Sequence, residues 1–368
     1  MNLGLILFFT YGISLQTWDA IGSLEREIAV YKALRPNLRD VKFVTYGDAK
    51  DLSYKKQLDG IKIVCNKWSL PKHLYSRLVS RFYPMVWRGD TVIKTNQVPG
   101  AEVALRAAQL YRKKFIARCG YLPSNIAKVT GDSQSAHFQN VQQREAMIFG
   151  NADRVVVTTT AMRQTIIDNY SIDAAKIRVI PNYVDVSKFK PSRGFRQPNL
   201  FLYVGRLERE KNIESLLKAV EGLKIKLDII GSGSLQNQLM DMTRESRLPV
   251  RFLGNVDNNQ LPRYLNRATA FVLPSLIEHH PKALLEAMAC GLPVIGTDAP
   301  GLREIIVHGE TGCLCDTSSE GIRKAIVNVL ADSSLRTHIG QNARAFVVEH
   351  FALQNIVDME LALLQELL

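Results

Sequence analysis

The chain has 368 residues, 46% hydrophobic and 22% charged, with a formal charge of +12. That length exceeds one comfortable core and predicts two domains of about 180 residues each, while the composition is that of a globular rather than a disordered chain. Its apolar runs are too short to cross a bilayer, and the first, Leu3 to Phe9, has neither a preceding positive charge nor a small-residue cleavage site, so it predicts a core strand rather than a signal sequence.

From the start, strand-like runs alternate with helical stretches: Leu3 to Phe9, Val41 to Tyr46, Ile61 to Cys65, Thr91 to Lys94, Phe115 to Arg118, Val155 to Thr158 and Ile177 to Ile180. The alternation predicts an α/β domain with a largely parallel, doubly wound sheet over residues 1–190. Lys190-Pro-Ser-Arg-Gly-Phe-Arg-Gln-Pro198 breaks the pattern with proline, glycine and charge, so residues 191–198 read as a linker. Over residues 199–350 the pattern resumes with Leu200 to Val204, Lys226 to Ile230, Arg251 to Leu253, Ala270 to Leu273, Val294 to Gly296 and Cys313 to Cys315, a second doubly wound domain. A last helix, 351–368, carries Ile356, Met359, Leu363 and Leu364 near one face and is expected to dock on the first domain.

Charge divides unevenly. Residues 1–190 hold 28 Lys and Arg against 15 Asp and Glu, whereas residues 191–368 hold 19 against 20. The basic half clusters charge at Arg112-Lys-Lys114 and from Arg77 to Arg88. It can attract phosphates in nucleic acid, an anionic membrane or a phosphorylated acceptor, although a merely solvated surface has the same composition. Five scattered cysteines, Cys65, Cys119, Cys290, Cys313 and Cys315, lack metal-ligand spacing and fit reduced thiols in a cytoplasmic enzyme.

The chemistry concentrates in the second half. Tyr203-Val-Gly-Arg-Leu-Glu-Arg-Glu-Lys-Asn-Ile213 ends a core strand in Gly205-Arg206 and opens a helix near Asn212. Gly205 permits close backbone approach, and Arg206 and Lys211 flank the turn, where two cations at a helix N-terminus can neutralise a diphosphate. Ile229-Ile-Gly-Ser-Gly-Ser-Leu235 is a glycine-rich turn after the next strand, and Arg251-Phe-Leu-Gly-Asn-Val256 offers backbone at Asn255 and Val256 to a nucleotide base. Ser275-Leu-Ile-Glu-His-His-Pro-Lys-Ala-Leu-Leu-Glu-Ala-Met-Ala-Cys-Gly-Leu-Pro-Val294 reads as loop, helix and strand, with Pro281 in the helix's first turn and Gly291 and Pro293 as its stop. The helix aims its first-turn N–H groups beyond the end of the preceding strand, where open parallel sheets bind ligands. Glu278 in the loop and Glu286 in the helix can accept from hydroxyl groups there, which suits a phosphorylated sugar.

In this order the motifs resemble retaining nucleotide-sugar glycosyltransferases of family 4. The resemblance rests on Val204-Gly-Arg-Leu with Lys211, Ile230-Gly-Ser-Gly, Phe252-Leu-Gly-Asn-Val, Leu273-Pro-Ser, Glu278 to Glu286, and Ala287-Met-Ala-Cys-Gly-Leu-Pro-Val-Ile295, over roughly residues 198–350. Val179-Ile-Pro-Asn-Tyr-Val-Asp185 looks like the segment just before the family's linker. The resemblance implies the GT-B architecture: two Rossmann-like domains, the nucleotide on the second, the acceptor on the first and the donor in the cleft. By that resemblance Arg206 and Lys211 hold the donor diphosphate, Glu286 the ribose hydroxyls and Glu278 the transferred sugar. The backbone of Pro281, Lys282, Ala283 and Leu284 meets phosphate or sugar.

The first half looks like the family's opening strand, glycine turn and helix at Leu3 to Phe9 and Gly22-Ser-Leu-Glu-Arg-Glu27, where Gly22 lets the backbone approach the diphosphate. The family's frequent double glycine is Ile21-Gly22 here. Many members place a histidine just after the strand matching Phe115-Ile-Ala-Arg-Cys-Gly120; this chain offers Arg118, and His137 is the nearest imidazole, catalytic or merely packed. His279-His280 departs from the family's small turn and is expected to line the donor pocket rather than bind metal. The loop Tyr11 to Ile21 and the segment Tyr121 to His137 are expected to shape the acceptor pocket, with Trp18 stacking on a sugar face or packing back on its own domain.

No Asp-X-Asp triplet occurs, so the resemblance implies transfer without a metal clamp and with retained configuration. The nucleotide-sugar is a co-substrate, and no separate cofactor is expected. The acceptor is a glycan, a lipid-linked glycan or a small molecule, and the expected location is cytoplasmic, with peripheral contact at the inner membrane face. The competing readings are a basic nucleic-acid-binding scaffold without chemistry and a sugar phosphorylase or epimerase of the same architecture.

Overall fold

Each apolar run becomes a strand, because residues buried on both faces of a helix-covered parallel sheet form short continuous hydrophobic stretches. The computed structural model describes residues 1–82, 84–87, 89–131, 135–192, 194 and 196–368. Arg88 of the basic run, residues 132–134 of the 121–137 segment, and residues 193 and 195 of the expected linker lie outside the described residues. Two compact units result: Met1–Ala127, Asp132–Pro181 and Ile356–Leu368 form the first, and Lys128–Gly131 with Asn182–Asn355 form the second.

In the first unit β1 (Gly4–Phe8), β2 (Asp40–Val44), β3 (Lys62–Val64), β4 (Thr91–Thr95), β5 (Lys114–Cys119), β6 (Arg154–Val157) and β7 (Ile177–Val179) pair in parallel in the order β3-β2-β1-β4-β5-β6-β7. Leu5 lies opposite both Val41 and Val92, and the order reverses between β1 and β4. Parallel sheets bind ligands beside such a reversal, at the strands' C-terminal ends.

Part of the expected loop Tyr11 to Ile21 is instead the helix Leu15–Ala20. Ser14 and Thr17 cap it reciprocally: the Thr17 N–H donates to Ser14 Oγ at 3.0 Å, and the Ser14 N–H to Thr17 Oγ1 at 3.3 Å. This helix carries Trp18 inward, 6% exposed and stacked on Phe9 with ring centroids 4.1 Å apart. Trp18 therefore packs on its own domain, and one ring face is no platform for a sugar. Gly22 turns the chain into the helix Leu24–Leu34 at φ +69°, a region glycine enters without cost.

The C-terminal stretch is two helices, Ser333–Phe351 and Leu353–Gln365. The Val184 N–H bonds Phe351 O at 2.9 Å and the Leu353 N–H bonds Val184 O at 3.0 Å, so pairing with Val184 interrupts the helix at Ala352. Ile356, Leu363 and Leu364 are buried, but Met359 is 38% exposed. The inward place belongs to Glu360, whose Oε1 lies 2.5 Å from Lys94 Nζ of β4, both groups being buried. Arg154 and Arg178 hold Glu366 at 3.2 and 2.8 Å. Among the described residues no helix is long and apolar enough to cross a membrane.

In the second unit β8 (Leu200–Val204), β9 (Lys226–Ile230), β10 (Val250–Gly254), β11 (Ala270–Leu273), β12 (Val294–Thr297) and β13 (Cys313–Cys315) form a parallel sheet ordered β10-β9-β8-β11-β12-β13. Phe201, Leu202, Phe271, Leu284, Met288 and Ile295 lie in its core. Residues of the expected linker belong to this unit: the Ser192 N–H donates to Asn266 Oδ1 at 2.9 Å, and Arg196 donates to Ala268 O at 3.0 Å. The strand order reverses between β8 and β11, so the turn after one and the loop after the other open at the same crevice.

Candidate active site

The turn after β8 is shaped by what lies beneath it. Tyr203 Oη donates to Arg206 O at 2.8 Å, and a Cβ on Gly205 would stand 2.5 Å from that hydroxyl. Gly205 is thus required by packing, not by its backbone angle. The neighbouring Gly-Ser-Gly turn closes on the same segment: a Cβ on Gly231 would run into the Gly205 carbonyl, and one on Gly233 into the Leu207 backbone. The Gly205 N–H bonds Ile230 O at 3.0 Å and the Gly231 N–H bonds Gly254 O at 2.8 Å, lacing the ends of β8, β9 and β10 together. Beyond them Asn255 is exposed, with Oδ1 3.1 Å from Ser232 Oγ, while Val256 is half-buried against the core.

A single helical turn, Arg209–Lys211, precedes the helix Ile213–Val220. Asn212 joins them in the left-handed region at φ +55°, which asparagine tolerates, and its Nδ2 donates to Pro274 O at 3.0 Å and Thr317 O at 2.9 Å. The Leu276 N–H donates to Glu210 O at 2.8 Å. These bonds fasten the turn after β8 to the loop after β11, and they bring sequence-distant candidates together: Lys211 Nζ lies 2.5 Å from Glu278 Oε1, which also accepts from Ser275 Oγ at 2.7 Å. Both partners are largely buried, with side chains 15% and 7% exposed. Arg206 is the accessible cation, its side chain 64% exposed and 2.7 Å from the buried Glu210.

Pro281 is the N-cap of the helix Lys282–Ala289 rather than part of its first turn. Its carbonyl accepts the Leu284 N–H at 3.2 Å, so Lys282, Ala283 and Leu284 form the turn that carries the positive end of the helix dipole. Glu286, one turn along, is 1% exposed, and its Oε1 accepts from Asn258 Nδ2 at 2.7 Å. Lys188 Nζ in turn donates to Asn258 Oδ1 at 2.7 Å, so a cation stands behind the carboxylate through one amide. His279 is buried, and its pKa is held down to about 4: desolvation is the main cause, Glu278 opposes it and Lys211 adds to it. The ring is neutral at pH 7. His280 packs edge-on against Phe351 with centroids 4.8 Å apart, and its carbonyl accepts from Asn182 Nδ2 at 2.6 Å.

Sequence reasoning missed Ser275, Asn258, Glu210 and Lys188, whose types are common and whose partners are 3 to 70 residues away. It also missed Gly301, where a Cβ would strike the carbonyls of Glu278 and His279; Ala299-Pro-Gly301 was its only sign. In the first unit Arg118 donates to Asn96 O at 3.1 Å at the end of β5, and His137 stands exposed in the first turn of the helix Ala136–Asn151. The five cysteines are free, and among the described residues no three His, Cys, Asp or Glu side chains are grouped to hold a metal ion.

Two parallel doubly wound units of seven and six strands define the GT-B class of glycosyltransferase folds. Sucrose-phosphate synthase from Thermosynechococcus elongatus superposes over 100% of this chain and 99% of its own with a TM-score of 0.83 at 22% identity. The Anabaena HepE protein in complex with UDP-glucose superposes with a TM-score of 0.80 at 18% identity, covering 100% of both chains. In sequence, residues 185–346 match the family model for glycosyl transferases group 1, and residues 32–188 that for glycosyltransferase family 4. Glycogen synthase from Mycobacterium tuberculosis is 29% identical over 280 residues, which are 73% of this chain and 67% of that protein. The chain belongs to the family 4 glycosyltransferases with the GT-B fold, and it is a glycosyltransferase enzyme.

Proposed function

We propose that the enzyme moves a sugar from a nucleotide-diphosphate donor, held at the β8/β11 crevice, to an acceptor hydroxyl with retention of configuration and without a divalent metal. The contact of Lys211 Nζ with Glu278 Oε1 carries this reading, because it sets a cation and a hydroxyl acceptor side by side next to the first turn of the Lys282–Ala289 helix. Arg206, Lys211 and that helix dipole neutralise the diphosphate as its bond to the anomeric carbon breaks. Glu278 accepts from the hydroxyls of the transferred sugar, and Glu286, steadied by Asn258, from the ribose hydroxyls. The new bond forms from the acceptor oxygen to the same face of the anomeric carbon, and the acceptor proton passes to a departing phosphate oxygen. Protein groups position and neutralise, and no covalent nucleophile is involved. The acceptor belongs to the first unit, whose positive charge favours a glycan presented at an anionic membrane surface.

Proton NMR of the first product formed tests the stereochemistry: the donor's anomeric configuration is expected, and inversion contradicts it. Activity in excess chelator is expected to match the untreated enzyme; its loss, with recovery on adding magnesium, contradicts the metal-independent route.

A further inference from the structure

Residues 60–89 contain six Lys and Arg and no Asp or Glu. The described residues among them form β3, a short loop, the helix Lys72–Phe82 and the helical turn Pro84–Trp87. Tyr75, Val79 and Ser80 turn inward and are buried. Across the helix, Leu74, Leu78 and Phe82 follow at intervals of four, so they share a face; Leu74 is 36% and Phe82 41% exposed. Arg77 and Arg81 flank that line and are exposed, as are Lys72 and His73. The preceding loop adds Trp68, 47% exposed, set edge-on to Phe82 at 4.8 Å, with Lys67 Nζ 4.9 Å from its ring centre.

An outer face that combines Trp, Phe and Leu with Lys and Arg is costly in water and suits the boundary between headgroups and acyl chains: the apolar groups enter and the cations meet lipid phosphates. The helix is also tied to the acceptor-facing end of its sheet, since Lys72 Nζ donates to the Gly12 carbonyl, just beyond β1, at 3.2 Å.

We propose that Trp68, Leu74 and Phe82, with Lys67, Arg77 and Arg81, form a surface that docks this glycosyltransferase onto an anionic lipid bilayer. The inference deepens the membrane-presented acceptor of the proposed function and rests on it. Docking here would hold the end of the β1 loop close to the headgroup plane, where a lipid-borne hydroxyl is met.

The test uses the full chain and sedimentation with vesicles of phosphatidylcholine alone or in equal parts with phosphatidylglycerol. The wild type is expected to bind only the anionic vesicles. Leu74→Ser/Phe82→Ser and Arg77→Gln/Arg81→Gln should each weaken that binding about tenfold or more, since each lost cation or buried apolar group near the surface contributes appreciably. Lys113→Ala/Lys114→Ala, at the other basic cluster, should leave it unchanged. Leu74, Arg77, Arg81, Phe82 and Lys114 are exposed and Lys113 is half-buried, and circular dichroism melts check that each variant folds. The proposal is overturned if the wild type ignores anionic vesicles, if both patch variants bind like wild type, or if polyuridylate displaces the vesicles through the same residues, which would make the patch a nucleic-acid surface. Nucleoside diphosphate binding by the same samples reports on the donor site separately, so a failed surface and a failed transferase reading give different results.

Discussion

At the level of single residues, the neutral His279 beside the Lys211–Glu278 contact gives the folded chain a dependence on pH. Burial holds the folded His279 at about 4 against the usual 6.5, so between those values the unfolded chain binds the extra proton. Stability therefore rises with pH through this window: the full contribution is present above about pH 6.5 and is lost progressively toward pH 4, by up to about 3 kcal/mol. His279→Gln should flatten the fall in Tm between pH 7 and pH 4.5 measured by calorimetry; an unchanged slope would show that His279 does not titrate in this way. Glu278 and Glu286 were legible because a strand, loop and helix with two carboxylates at the ligand end of a sheet is an unusual coincidence. Ser275 and Asn258, which orient those carboxylates, were not, since a serine and an asparagine mark no chemistry until the fold brings them close. Trp18 was ambiguous for the same reason: only the Ser14 cap that starts its helix turns the ring inward onto Phe9.

Among the elements, the strands were the most readable, because each needs a run of buried apolar residues whatever its neighbours are. The terminal helix was less so. Its break at Ala352 comes from Val184, a residue 168 positions away, and its inward face includes Glu360 where hydrophobic spacing pointed to Met359. The Lys94–Glu360 pair fixes the register of this helix on the first unit's sheet. Lys94 is fully buried, and burial pulls its pKa below the usual lysine value while Glu360 opposes the shift. Removing either partner leaves a buried charge alone, so Glu360→Ala should destabilise the protein by about 3–5 kcal/mol. Lys94→Met/Glu360→Met should recover most of that loss by denaturant unfolding. A single substitution that costs nothing would show that the pair does not hold the helix.

For the whole molecule, charge is shared unevenly between the two units. The second unit holds 22 Lys and Arg against 18 Asp and Glu, and its Gly205, Gly231 and Gly233 let the turns after β8 and β9 pack directly on each other. The first unit, with 25 Lys and Arg against 17 Asp and Glu, carries the larger share of the chain's positive charge. The fold and the candidate crevice could be read from the sequence because both depend on local motifs at strand ends. Donor base, sugar and acceptor could not, since pocket shape sets them. The most direct test of the account is isothermal titration of UDP, GDP and ADP into the wild-type protein and into Arg206→Ala. One nucleoside diphosphate should bind the wild type at micromolar concentration and bind the variant at least about tenfold more weakly, the loss of one charge-assisted phosphate contact. A folded wild type that binds none of them, or a variant that binds as tightly, would contradict the assignment of the β8/β11 crevice as the donor site.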